Sequence, residues 1–148
     1  MKFSKKSKYG LTALVDLAAN SGTGHVALNC IAERNGISPQ YLEQVFAALR
    51  RAGIVRSIKG PQGGYLLNDE PENITVAAVL RALDGSYYIE DVRVREGEPG
   101  FEISDAIQDL VIDRINAKMD EVLLHLTLAD LEEEYQKNIG AGMLMYYI

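Results

Sequence analysis

The chain has 148 residues, 47% of them hydrophobic, and a formal net charge of −6. That length fits one domain, or one small domain with an appended dimerisation element, and the composition excludes a wholly disordered chain. No apolar stretch approaches the roughly 18 to 20 residues that cross a bilayer, MKFSKKSKYG lacks the apolar segment of a secretory signal, and one cysteine, Cys30, excludes an internal disulfide and fits a reducing cytoplasm.

KYGLTALVDLAAN, residues 8–20, places Leu11, Leu14, Val15, Leu17 and Ala18 at helical spacing, and SGTG ends the pattern. LNCIAERNG reads as a second, short helix closed by Gly36, with Cys30 expected as a small buried hydrophobe. In ISPQYLEQVFAALRRAG, Ser38 is a natural N-cap and Pro39 sits at the first helical position. Leu42, Val45, Phe46 and Leu49 form its buried stripe, and Gly53 stops it. IVRSI at 54–58 and GYLL at 64–67 are strand-like, and the turn-rich KGPQG between them makes a β-hairpin with a protruding tip. NDEPEN is a loop, and ITVAAVLRALDG is a fourth helix capped by Thr75.

GSYYIEDVRVREGEPG, residues 85–100, has no clear period and is expected to be a flexible loop. From Phe101 to Leu126, Ile103, Ile107, Leu110, Ile115, Met119, Val122 and Leu126 recur at three- and four-residue steps, with one five-residue step after Leu110. A helix of about 24 residues spans roughly 36 Å, longer than a small domain needs for its own core. Ala106, Val111 and Leu123 widen the stripe. Pairing with a second copy is therefore expected, with Ile107, Leu110, Ile115, Met119 and Val122 at a homodimer interface. TLADLEEEY starts a last short helix, with Thr127 and Asp130 in capping-box spacing. The fold expected is mainly α: a winged helix-turn-helix over 1–84, the loop over 85–100, dimerisation helices over 101–138 and a C-terminal tail over 139–148.

Charge is unevenly spread. Residues 1–67 carry nine basic side chains against three acids, a balance of +6 that leaves −12 for the rest. A basic head on an acidic body suits a polyanion partner for the head alone. Three helices followed by a hairpin, with basic residues on both the third helix and the hairpin tip, is the plan of a winged helix-turn-helix, and the chemistry suits double-stranded DNA. Ser38, Gln40, Tyr41 and Gln44 open the third helix, whose first residues reach base edges in the major groove. Gln bonds adenine in a bidentate way, and Tyr offers a hydroxyl to phosphate or a ring to a thymine methyl. In the hairpin, Lys59 beside Gly60, Pro61 and Gln62 suits phosphate or the minor groove. Lys2, Lys5, Lys6 and Lys8 add a phosphate-facing arm with Tyr9, and Arg50 adds charge at the end of the third helix.

YLEQVFAALRRAGIVRSIKGPQGGYLL, with the opening KYGLTALVDLA, resembles the Rrf-two family of bacterial winged-helix regulators over residues 2 to about 83. The resemblance implies a homodimer on a pseudo-palindromic operator, with the third helix in the major groove and the wing in the minor groove. Ser38, Gln40, Tyr41, Gln44 and Lys59 fall at positions matching the family's DNA-reading elements, and Glu43 at one that tunes base preference.

The sensors of that family hold an iron–sulfur cluster through three cysteines in the loop before the long helix. Here YYIEDVRVREGEPGFEISD contains neither cysteine nor histidine, so a cluster bound in the family manner is not expected, nor is any other cofactor. His25 and His125 each stand alone, and the acidic run Glu90, Asp91, Glu96, Glu98 and Glu102 reads as a solvated face rather than a metal site. No nucleophile–base pair or phosphate loop indicates an enzyme. The cluster-free family members, repressors of cysteine metabolism, are controlled by complex formation with cysteine synthase. That enzyme receives isoleucine-ended tails in its substrate-carboxylate pocket, and MYYI resembles such a tail, giving Tyr146, Tyr147 and Ile148 as candidate partner contacts. Packing of the tail on the dimer's own helices stays open. So do a module whose main role is binding that enzyme, and direct sensing of a small molecule between the long helices.

Overall fold

The computed structural model describes residues 3–146; the candidate contacts Lys2, Tyr147 and Ile148 lie outside the described residues. Helix α1 (Lys5–Asn20) starts where the Ser4 hydroxyl accepts from the Ser7 N–H at 3.0 Å. Helix α2 (Leu28–Asn35) closes on Gly36, whose φ of 62° lies in the left-handed region. Helix α3 (Pro39–Arg51) opens with the Ser38 hydroxyl accepting from the Tyr41 N–H at 3.4 Å and with Pro39 at its first position.

The hairpin follows, β1 (Val55–Ile58) antiparallel to β2 (Gly64–Leu67), with Val55 opposite Leu67 and Ile58 opposite Gly64. Val26 adds a rung beside β2, donating to the Tyr65 carbonyl at 3.0 Å and accepting from the Tyr65 N–H at 2.8 Å. This close approach requires glycine at 64, where a Cβ would stand 2.4 Å from the Val26 carbonyl oxygen. Helix α4 (Val76–Asp84) is capped by Thr75 as expected. Leu14, Leu17, Ile31, Leu42, Phe46 and Leu49 are fully out of solvent and form the head's core. Burying each such side chain stabilises by about 1.5–3 kcal/mol.

Cys30 departs from expectation. It is exposed, while Ile31 and Ala32 supply the buried face of α2. Adjacent residues on a helix differ by roughly 100° in direction, so burying position 31 carries position 30 away from the core.

The long segment is helical from Phe101 to Leu123, but not uniformly. Helix α5 (Phe101–Ile107) runs into a π turn (Gln108–Ile112) and then α6 (Asp113–Leu123). The π turn occupies the place of the five-residue step after Leu110, because i→i+5 bonding inserts one residue into the apolar stripe. A short turn then leads to α7 (Leu128–Tyr146), where the Thr127 hydroxyl accepts from the Asp130 N–H at 3.2 Å and the Asp130 carboxylate accepts from the Thr127 N–H at 3.0 Å. The capping box is as expected; the length is not. The helix has 19 residues and continues through Gly140 and Gly142 to Tyr146, beyond the boundary at residue 138. Its first residue, Leu128, is fully buried in the head's core.

Residues 86–95 carry no helix or strand, yet they run antiparallel along α5–α6 and are bonded to it at nearly every turn. Asn116 accepts from the Ile89 N–H at 2.9 Å and donates to the Ile89 carbonyl at 3.1 Å. Gln108 accepts from the Val92 N–H at 2.8 Å, and Ser104 from the Val94 N–H at 3.2 Å. Arg93 donates to Asp105 at 2.7 Å and to Asp109 at 2.5 Å. Side-chain acceptors thus replace a sheet partner for this backbone.

Candidate DNA interface

Helix α3 is amphipathic. Leu42, Val45, Phe46 and Leu49 face the core, which turns Ser38, Gln40, Glu43 and Gln44 outward into solvent. At its head the Ser38 hydroxyl donates to Gln40 Oε1 at 3.0 Å, so two candidate base-reading groups orient each other. Tyr41 is half-buried and packs edge-on against Tyr9 of α1, ring centroids 5.7 Å apart at 82°. Over the Tyr9 ring stand the ammonium groups of Lys5 and Lys8, at 5.7 and 5.9 Å. A ring face attracts such cations with about 0.5–1 kcal/mol at exposed sites. Lys5, Tyr9, Ser38 and Tyr41 border one hollow of about 250 Å³ at the head of α3. The structure thus brings Lys5 and Lys8 beside Tyr9, next to the first turn of α3.

The wing tip is exposed at Lys59, Gly60, Pro61 and Gln62. Glu43 of α3 and Lys59 and Gly60 of the wing line a common cleft of about 490 Å³, so helix and wing flank one surface. Arg50 is exposed but stands apart from the rest, ten residues and roughly 15 Å along α3 from Gln40.

Two contacts between residues far apart in the chain support this surface. His25 donates from Nε2 to the Gln62 carbonyl and ties the wing tip to the segment before α2. Asp84, the last residue of α4, accepts from the Ser4 hydroxyl at 2.6 Å and from the hydroxyl of the fully buried Ser7. Burial acts to raise the Asp84 carboxyl, but the hydrogen bonds from Ser4 and Ser7 and the charge of Lys6 outweigh it and hold it below the usual range. The pairing fixes the start of α1, and with it the lysine arm. Neither contact has a local sequence signature, since each joins residues far apart in the chain.

On the opposite part of the molecule, the α5–α6 helix shows an exposed apolar face. Ile107, Leu110, Ile115 and Val122 are 44%, 62%, 39% and 59% exposed. Met119 behaves differently from these four candidates. It is half-buried against Val76, Ala77, Leu80 and Tyr87 and belongs as much to the protomer's interior as to its surface.

A helical head with an exposed third helix and a flanking two-stranded wing defines a winged helix-turn-helix protein. A family model described as "Iron-dependent Transcriptional regulator", Rrf2, matches residues 3–134, and the chain belongs to that family. The HTH-type transcriptional regulator CymR of Bacillus subtilis (strain 168) is 44% identical over 131 residues, covering 88% of this chain and 89% of that protein. The HTH-type transcriptional regulator IscR of Sodalis glossinidius is 40% identical over 132 residues, 88% of this chain and 78% of that one. Among solved structures, CymR, described as the global cysteine regulator of B. subtilis, superposes with a TM-score of 0.76 at 41% identity, covering 90% of this chain and 98% of that one. T. potens IscR follows with a TM-score of 0.72 at 38% identity, covering 93% and 90%.

The iron in the family's description finds no fitting donors here. The loop over 85–100 has no cysteine or histidine, and the sequence's one cysteine is exposed on α2. His25 is engaged with the wing, and His125 lies within its own helical turn, its Nδ1 3.0 Å from the Glu121 carbonyl oxygen. Among the described residues no three histidine, cysteine, aspartate or glutamate side chains gather as an ion site. No helix among the described residues is long and apolar enough to cross a membrane.

Proposed function

We propose that the protein is a homodimeric DNA-binding repressor of cysteine or sulfur metabolism genes, acting without an iron–sulfur cluster. The observation that carries this reading is that α3 borders two hollows, one shared at its head with Lys5 and Tyr9 of α1 and one shared at Glu43 with Lys59 and Gly60 of the wing. Lys5, Lys8 and Lys59 supply phosphate contacts, which position the head and depend on salt, while Gln40, Gln44 and Glu43 discriminate base edges. The exposed apolar face of α5–α6 is the natural seam for a second copy, which would set two heads on a pseudo-palindromic operator. The metabolic assignment follows the likeness to CymR.

The test is a titration, at physiological salt, of a duplex selected from a random library by the protein itself, against a scrambled duplex. A repressor discriminates by at least about 10³-fold. A module that only scaffolds an enzyme shows equal, non-specific affinity for both.

Control by a complex with cysteine synthase belongs to the same proposal, through the segment 139–148. The second half of α7 favours it: Ile139, Met143, Leu144 and Met145 are 40%, 56%, 68% and 79% exposed on the protomer, beyond the part matched by the family model. Among the described residues α7 runs to Tyr146, so residues 139–146 are helical. Removing Tyr146–Ile148 should abolish cysteine synthase binding in calorimetry and leave operator binding by the isolated protein unchanged. An unaltered isotherm refutes it, and a loss of dimer stability instead assigns the tail to the partner copy.

A further inference from the structure

Two polar points, one at each end of α4, tie this part of the DNA-binding head to α6 and to the turn between α6 and α7. At the start of α4, Thr75 and Thr127 form a β-bridge: the Val76 N–H donates to the Leu126 carbonyl at 2.8 Å, and the Leu128 N–H to the Ile74 carbonyl at 2.9 Å. At its far end, Asp120 of α6 gathers one group of α4, Arg81, and two of the segment that follows α4, Tyr87 and Tyr88. The Tyr87 hydroxyl donates to Asp120 Oδ1 at 2.5 Å, the Tyr88 hydroxyl donates to Oδ2, and the Arg81 guanidinium stands 3.8 Å away. Arg81 also donates to the Tyr87 hydroxyl at 3.2 Å and covers that ring at 5.2 Å, while Tyr87 and Tyr88 meet edge to face.

The remaining contact with α6 is apolar, Met119 and Leu123 against Val76, Ala77 and Leu80 of α4 and Tyr87 beyond it. Apolar contact holds two helices together but is not directional, whereas hydrogen bonds fix angle and register. Burial and the bond to Asp120 push the Tyr87 phenol up to about 12, so it remains a donor across the neutral range. The bonds from Tyr87 and Tyr88 keep the Asp120 carboxyl low, so it remains an acceptor.

We propose that Asp120 is a positioning residue that sets the angle of the DNA-binding head on the dimer helix, and so the half-site spacing the protein accepts. This rests on the reading above, in which two copies bind two half-sites. With Asp120 removed, α4 keeps its anchor at the Thr75–Thr127 bridge and can swing about it. Nine helical residues put the two anchors roughly 13 Å apart, so a slip of about 1 Å at the Asp120 end turns the head by about 4°. Asp120 touches none of the DNA-contacting residues named above; its effect on DNA is confined to geometry.

The experiment uses the full-length protein, a pseudo-palindrome selected from a random duplex library by the wild type, and derivatives of that duplex with one to three base pairs inserted or deleted at its centre. A duplex carrying one half-site reports on the head, and sedimentation reports the dimer. For Asp120→Ala, dimer mass and half-site affinity should stay within about twofold of wild type. Affinity for the selected spacing should fall about tenfold, and the penalty for a one-base-pair change should shrink. Tyr88→Phe removes one exposed donor and should broaden the profile less; Asp120→Asn, which still accepts hydrogen bonds, should fall between. A spacing profile identical to wild type in Asp120→Ala overturns the proposal, as does a loss of half-site binding, which would make Asp120 part of the head's own fold. A wild-type protein that is monomeric or indifferent to spacing overturns the two-headed reading, and the proposal with it.

Discussion

Replacing Asp84 by alanine removes the shared acceptor of two serines and tests whether a buried polar contact fixes the lysine arm. Ser4 Oγ lies 2.6 and 2.7 Å from the two carboxylate oxygens, and Ser7, with no exposed surface, donates its hydroxyl to the same group. A hydrogen bond to a charged group contributes about 1.5–3 kcal/mol, and an orphaned buried hydroxyl costs about 1–3 kcal/mol. Since Ser4 is half-exposed and finds water, the expected loss is about 2–4 kcal/mol in urea unfolding at fixed protein concentration. The Ser7→Ala, Asp84→Ala double-mutant cycle should return a coupling of about 1–2 kcal/mol. The pH dependence has a definite sign. The folded-state carboxyl is depressed, so its contribution is complete above the unfolded value of about 3.9 and is lost as pH falls through the lower folded value. Between pH 7 and 5 the difference between wild type and Asp84→Ala should stay constant, and below about pH 4 it should shrink. A cost under about 0.5 kcal/mol, or zero coupling to Ser7, would refute the reasoning, because the measured value would then be that of an ordinary surface substitution.

Lys59→Ala should weaken binding to all duplexes alike and lower the salt slope by about 1, whereas Gln44→Ala should relax specificity at one position by about 1–3 kcal/mol; anisotropy titrations on a set of single-base variants separate the two. Gly64→Ala places a Cβ against the Val26 carbonyl and should detach the wing from the segment before α2, read as faster amide exchange at Val26 and Tyr65 and at least about 1 kcal/mol of lost stability. Gln108→Leu strips the acceptor from the Val92 N–H and should cost about 1–3 kcal/mol, with exchange quickened at Val92; unchanged protection there would deny that the segment is held by side chains.

The head was legible because its signals are local. Ser38, Thr75 and the Thr127–Asp130 pair announce helix starts within three residues of themselves, and the apolar stripe of α3 fixes which residues face outward. Cys30 was misplaced because α2 has only eight residues, too few turns for its apolar period to select a face. Residues 86–95 show no period in the sequence because periodicity detects burial, not hydrogen bonding. Their acceptors at 104, 108 and 116 are ordinary polar residues until the helix brings them beside this segment. The contact of Asp84 with Ser4 and Ser7 escapes the sequence for the same reason.

Helix α7 shows why composition and conformation part company. Gly140 and Gly142 resemble a stop signal, each costing about 1 kcal/mol relative to alanine inside a helix. A glycine ends a helix by adopting positive φ, and neither of these does, although Gly36 and Gly53 do so at the ends of α2 and α3. Around them Ile139, Ala141, Met143, Leu144 and Met145 offer no polar group to cap an end, and most favour helix. Residues 139–145 are therefore the exposed end of a helix whose first residue, Leu128, is buried in the core of the DNA-binding head. A partner docked on 139–145, as proposed above, would therefore sit on a helix whose first turn packs in the same core as α1 and α3.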